Sequence, residues 1–273
     1  MMLNLQPVGG PARAALLAAC VLALSACGTS PKDEVGEGVS NEKLYADAKE
    51  EAADGNYESS SKKLEKLEGR AAGTLLSQQA QLDLAYAYYK TGEKAQALAK
   101  LERFIRLHPT SPAIDYALYL QGVINFNDDL GLFGALSRQD LSERDQQASR
   151  DSYESFRQLT ERFPNSAYAP DARLRMNYIV NSLANYEVHV ARYYYRRGGY
   201  LAAANRAQYA VQEYRGTPAV EEALYLMVLS YDRLGLPVLR DDAKRVLVAS
   251  YPSSRYLADG GLRSIDKPWW QLW

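Results

Sequence analysis

Two cysteines, two histidines and a few adjacent carboxylates are the side chains of this 273-residue chain best suited to chemistry, and their spacing decides against most of it. His108 precedes a turn proline and His189 sits inside a helix-like run, so no His-x-x-x-His pair forms, and no Cys-x-x-Cys completes a metal centre. Neither a Gly-Lys-Thr phosphate loop nor a Gly-x-Ser-x-Gly elbow is present. Asp128-Asp129 and Asp241-Asp242 are sequence neighbours, which a helix would point in different directions; they read as solvated surface rather than an acid–base pair. The expectation is a non-enzymatic protein without metal or cofactor. Cys27 is the exception. It closes Leu24-Ser25-Ala26-Cys27 after an unbroken apolar run, Ala14 to Leu24, and its chemistry is that of a thiol left at a newly cut terminus.

The run that positions Cys27 is too short to span a bilayer, which takes about 20 apolar residues, but it suits a secretory signal. With Gly28-Thr29-Ser30-Pro31 following, the site resembles the lipobox of bacterial lipoproteins. Residues 1–26 are then a signal peptide and Cys27 carries acyl chains, each contributing about 0.8 kcal/mol per buried methylene to membrane attachment. Cys20 is discarded with the signal, so no intramolecular disulfide remains. Gly28 in place of Asp implies the outer membrane, with the protein anchored on its periplasmic face. Residues 27–40 read as a lipidated N-terminus and flexible tether with a reach of roughly 20 Å. Loss of Arg13 leaves the mature chain nearly neutral, which argues against a nucleic-acid partner.

Turn signals then recur every 37 residues. Gly55 and Gly92 stand at this interval, as do Gly198 and Gly235, Ala48, Ala85 and Gly122, and Ala191 and Val228. Pro109-Thr110-Ser111, Pro164-Asn165-Ser166 and Pro252-Ser253-Ser254 stop a helix and prepare the next cap. The pattern resembles the tetratricopeptide repeat, a helix-turn-helix of about 34 residues. The predicted fold is an all-α helical solenoid of about five units and ten helices, beginning near residues 41, 78, 115, 168 and 219. N-terminal repeats 1–3 occupy 41–164, C-terminal repeats 4–5 occupy 165–252, and a tail covers 253–273. An insertion, 127–144, interrupts the third unit, either a binding loop or a solvated spacer; the second helix resumes near Asp145. The fourth unit opens with a breaker-free stretch of about thirty residues, roughly 45 Å as a helix.

Tyrosines outnumber phenylalanines 21 to five, a balance suited to surfaces that are apolar yet wet. In tetratricopeptide arrays the first helices line a concave groove. That mapping places Tyr45, Tyr86, Tyr89, Tyr116, Tyr119 and Phe126 along it, with Lys49 and Lys90 nearby. The same spacing is equally that of inter-helix packing. All three tryptophans fall at 269, 270 and 273, where they dock on the last repeat or meet a partner or lipid headgroups.

Three stretches narrow the family: Asp140-Leu141-Ser142-Glu143-Arg144-Asp145; Phe163-Pro164-Asn165-Ser166-Ala167-Tyr168-Ala169-Pro170-Asp171-Ala172; and Leu183-Ala184-Asn185-Tyr186-Glu187 leading to Ala191-Arg192-Tyr193-Tyr194. With the lipobox and the repeats, the chain resembles the BamD family of lipoproteins, which serve the machine that assembles β-barrel proteins into the outer membrane. The resemblance implies that the N-terminal repeats receive unfolded outer-membrane-protein precursors, in the aromatic groove. It further implies that the C-terminal repeats bind the POTRA domains of the barrel subunit BamA, with Arg206 as a contact, alongside other lipoproteins of the complex. A tetratricopeptide lipoprotein scaffold for pilus secretin assembly is the alternative. A lytic transglycosylase would need a globular domain with a catalytic carboxylate, and no residues remain to build one.

Overall fold

A helix that ends on a left-handed glycine gives its last carbonyls to two N–H groups beyond it, and among the described residues this happens four times. Gly55 and Gly92, both at φ 84°, and Gly198 and Gly235 donate to the carbonyl three residues back at 3.0–3.2 Å. The residue after each donates to the carbonyl five back at 2.8–3.0 Å. The pair of bonds turns the chain sharply and starts a second helix without leaving buried carbonyls unpaired.

The computed structural model describes residues 38–126 and 146–257, and these form ten α-helices in five pairs. They are α1 (Asn41–Ala53) with α2 (Tyr57–Arg70), α3 (Leu75–Lys90) with α4 (Lys94–Leu107), α5 (Ile114–Asn125) with α6 (Gln146–Arg162), α7 (Ala169–Arg196) with α8 (Tyr200–Glu213), and α9 (Ala219–Arg233) with α10 (Pro237–Ser250). The all-α tetratricopeptide-like array expected from the period is therefore present. The signal peptide, Cys27, most of the tether, the insertion with Asp128-Asp129 and Asp140–Asp145, and the tryptophans lie outside the described residues.

The link between units repeats as well. His108, Phe163, Tyr214 and Tyr251 each donate to the carbonyl four residues back; Ser111, Ser166, Thr217 and Ser254 then donate to those four residues in turn. Ile114, Ala169, Val220 and Leu257 close the series, donating to the carbonyl three back at 3.0–3.2 Å. Tyr214-Arg215-Gly216-Thr217-Pro218 makes this turn although it has no proline directly after the helix. Ser40 and Thr74 cap α1 and α3, their hydroxyls accepting from Lys43 N at 3.2 Å and Ser77 N at 3.1 Å.

Small residues let the paired helices meet. Ala48, Ala85 and Ala191 are fully buried, and Ser60 and Ser152 donate across the pair to the carbonyls of Ala48 and Gly122, both at 2.8 Å. At Gly122 even a methyl has no room: a Cβ there would lie 2.5 Å from the Phe156 ring. One continuous apolar core runs from Leu44 to Leu247. Helix α7 is the long member, 28 residues or about 42 Å at 1.5 Å per residue, and it packs on α6 towards one end and on α8 and α9 towards the other.

Candidate functional site

The first-helix face carries the aromatic residues, and their hydroxyls divide them into two kinds. Tyr45 Oη donates to Asp83 Oδ2 at 2.7 Å, and Lys49 Nζ approaches Asp83 Oδ1 at 3.3 Å, tying α1 to α3. Burial, and then the Asp83 carboxylate, push the Tyr45 phenol up, so it stays a donor at any physiological pH. Tyr119 repeats the device two pairs later: its hydroxyl donates to Asp171 Oδ2 at 2.8 Å while its ring stacks on Tyr168 at 4.8 Å. Tyr116 lies between them, its ring 5.6 Å from Tyr168 and its phenol raised by burial first, then by Asp83 and neighbouring tyrosines. Tyr45, Tyr116 and Tyr119 thus hold one unit onto the next. Further along, Arg192 on α7 pairs with Glu222 on α9 and does the same work with charge.

Two patches remain open beside this packing. In the first, Tyr86 is 37% exposed and meets Tyr57 edge-on at 6.0 Å and Tyr89 at 6.4 Å, while the Lys90 ammonium sits 5.5 Å from the Tyr57 ring centre. A cavity of about 560 Å³ adjoins it, lined by Glu51, Asn56, Tyr57, Glu58, Lys62 and Lys90 among others. In the second patch, the Arg175 guanidinium lies 4.9 Å from the Phe126 ring, with the exposed Tyr178 edge-on at 5.8 Å. Tyr57, Arg175 and Tyr178 escaped the sequence reading. Tyr57 opens a second helix two residues after Gly55, as Tyr200 does after Gly198, but its ring meets Tyr86 on the first helix of the next pair whereas that of Tyr200 meets Tyr195 of its own, so the shared spacing does not announce the contact.

Arg206 on α8 is brought to a different place. Its guanidinium donates to Glu187 Oε2 at 3.0 Å, and Glu187 is only 2% exposed. Beside this pair, Arg150 lies against the phenols of Tyr209 and Tyr214. A cavity of about 570 Å³ opens between α6, α7 and the end of α8, lined by Arg150, Val180, Leu183 and Tyr214 among others. Arg206 is half exposed, so one side of its fork faces Glu187 while another meets solvent.

His108 caps α4 with its ring 5.1 Å from Phe104, and His189 stands exposed on α7. Asp241 pairs with Arg240 at 2.8 Å and Asp242 with Arg245 at 2.7 Å. No group of three or more potential metal ligands occurs among the described residues, and no described helix is long and apolar enough to cross a membrane.

The family model for YfiO, described as an outer membrane lipoprotein, matches residues 37–246. A relative from Neisseria meningitidis named outer membrane protein assembly factor BamD is 48% identical over 256 residues, 92% of this chain and 96% of its own. Relatives of the same name from Vibrio cholerae and Xylella fastidiosa are 36% and 33% identical; the matches cover 83% and 89% of this chain and 95% and 83% of theirs.

Proposed function

We propose, from the premise that this chain belongs to the outer membrane lipoprotein family of YfiO and within it to the BamD assembly factors, that it binds barrel precursors through the patch around Tyr86. The protein takes part in outer membrane protein assembly, and the pilus alternative finds no support among relatives that all carry the assembly-factor name. Its part is that of a scaffold. The observation that carries the precursor site is Tyr86 itself, an exposed ring held between Tyr57 and Tyr89 with the Lys90 ammonium beside them, on a face where Tyr45, Tyr116 and Tyr119 are occupied in packing. Rings give an extended peptide apolar contact at low entropic cost, and an ammonium suits its terminal carboxylate.

A fluorescent peptide copying the final residues of an outer membrane barrel protein tests this by anisotropy. Tyr86→Ala combined with Lys90→Glu should weaken binding about tenfold or more, equivalent to about 1.4 kcal/mol, with helical content unchanged. Binding equal to that of the parent would remove the patch from consideration.

The membrane attachment rests on Cys27: Cys27→Ala should leave the precursor uncut and the protein without its usual anchor in fractionated envelopes. For the barrel subunit's POTRA domains, the solvent side of the Arg206 fork is the proposed contact. Arg206→Lys keeps the charge beside Glu187 but loses the fork. Reduced co-purification of the barrel subunit at an unchanged melting temperature is expected; undiminished recovery would rule the contact out.

A further inference from the structure

The cavity of about 570 Å³ between α6, α7 and the end of α8 is bounded by charged groups whose pairing is uneven. Glu154 stands one turn along α6 from Arg150, the spacing at which the two would pair. It is taken instead by Arg157, whose guanidinium reaches its two oxygens at 2.6 and 2.9 Å. Asp151 accepts from Gln147 Nε2 at 2.8 Å. Arg150, and Glu213 and Arg215 on the α8 side, are left without an ion pair among the described residues.

Tyr214 adds a neutral donor to the same wall. It is 7% exposed, and its hydroxyl, closed off from bulk solvent with the Arg150 guanidinium against it, has no hydrogen-bond partner. Buried hydroxyls are ordinarily paired. Burial raises this phenol's pKa, so it keeps its proton at physiological pH. The joint between units does not ask for the hydroxyl: Tyr214 N donates to Ala210, its carbonyl accepts from Thr217, and Phe163 makes the same turn one pair earlier with no hydroxyl at all. The Tyr214 ring is held edge-on to Tyr209 at 6.0 Å. Val180 and Leu183 make the α7 wall apolar, and the volume is that of a small-ligand site.

We infer that this cavity is a carboxylate site: Arg150 turns off the phenol and takes the carboxylate on its fork, Tyr214 Oη donates to it, and an apolar stem lies against Val180 and Leu183. Arg215 adds attraction from the α8 side. A planar guanidinium meets a carboxylate in two parallel bonds. A phosphate dianion suits the cavity less well, because Asp151, Glu154 and Glu213 line it too. Either a free organic acid or an acidic side chain of a bound protein supplies the required chemistry. None of these residues enters the precursor or POTRA contacts proposed above.

Phenylglyoxal, which modifies accessible guanidinium groups, reads this site in the full mature chain: peptide mass spectrometry follows the rate at Arg150, with the exposed Arg196 as internal reference. Saturating 3-phenylpropionate should slow modification of Arg150 several-fold and leave Arg196 unaffected, and the neutral 3-phenylpropanamide should protect neither. Tyr214→Phe, which removes only the unpaired hydroxyl, should raise the concentration needed for protection several-fold at an unchanged melting temperature. Should that variant lose its fold, Arg215→Gln, an exposed substitution, should act in the same direction. Absence of protection overturns the inference, and so does equal protection by the amide or by inorganic phosphate, or protection that neither substitution diminishes. Acetyl-Gly-Glu-Gly-amide, whose only carboxylate is a side chain, separates the two sources. Protection at a lower concentration than 3-phenylpropionate assigns the site to an acidic side chain of a partner protein, and the reverse order assigns it to a free organic acid.

Discussion

Single side chains here act chiefly as joints between units, and the joints set what substitution does. Gly122 is the sharpest case, because the Phe156 ring fills the space a methyl would take. Gly122→Ala should cost about 1–3 kcal/mol in urea denaturation, the penalty of forcing a packed core apart. Arg206 is another, since Glu187 is buried and Arg206 is its counter-charge. Arg206→Glu would set two carboxylates against each other and should lower the melting temperature, so charge reversal reports on folding before it reports on any partner. Asp171 brings pH into play. Burial presses its pKa upward, but hydrogen bonds from Arg175 and Tyr119 prevail and hold it below the ordinary aspartate value. A depressed carboxylate stabilises above its unfolded pKa and loses that contribution as pH falls through the folded value. Arg175→Gln should therefore lower the urea midpoint at pH 7, and the gap from the parent should narrow as pH falls below the ordinary aspartate value.

Helix boundaries were legible because each is written in a residue that the backbone requires. Gly55, Gly92, Gly198 and Gly235 adopt a left-handed conformation that other residues reach only at a cost, and the prolines and serines between units build one recurrent turn. Replacing Gly92 by Ala should destabilise by about 1–2 kcal/mol, because its φ of 84° is strained for any side chain although nothing lies within 4 Å of the new Cβ. The partners of the aromatic residues were not legible in the same way. Tyr45 and Asp83 stand 38 residues apart, Tyr119 and Asp171 stand 52 apart, and the 37-residue step fixes neither pairing. Only the helix packing reveals which tyrosines spend their hydroxyls on a neighbouring unit and which, like Tyr86, leave a ring towards solvent. Arg206 was visible as a cation on an alanine-rich helix, but its counter-charge was not, since the burial of Glu187, the single glutamate of α7, leaves no mark in the sequence.

Taken as a whole, the molecule is a row of near-identical joints interrupted by one long element. Neighbour-only packing makes such arrays cooperative through their interfaces, and α7 is the helix shared by the third, fourth and fifth pairs. Asn185 is exposed near its middle. Asn185→Pro should cost about 3 kcal/mol and split a single calorimetric transition into two, the first three pairs melting apart from the last two; one sharp transition would show that the interfaces, and not the helix, carry the cooperativity. The span of α7 also has a mechanical meaning. A stiff rod about 42 Å long, pivoted at one end by a tilt of about 5°, sweeps its other end through about 4 Å, more than the length of a hydrogen bond. A pivot at the end bearing Asp171 would therefore arrive amplified at Arg192, where its lock on Glu222 would have to slip or carry α9 along.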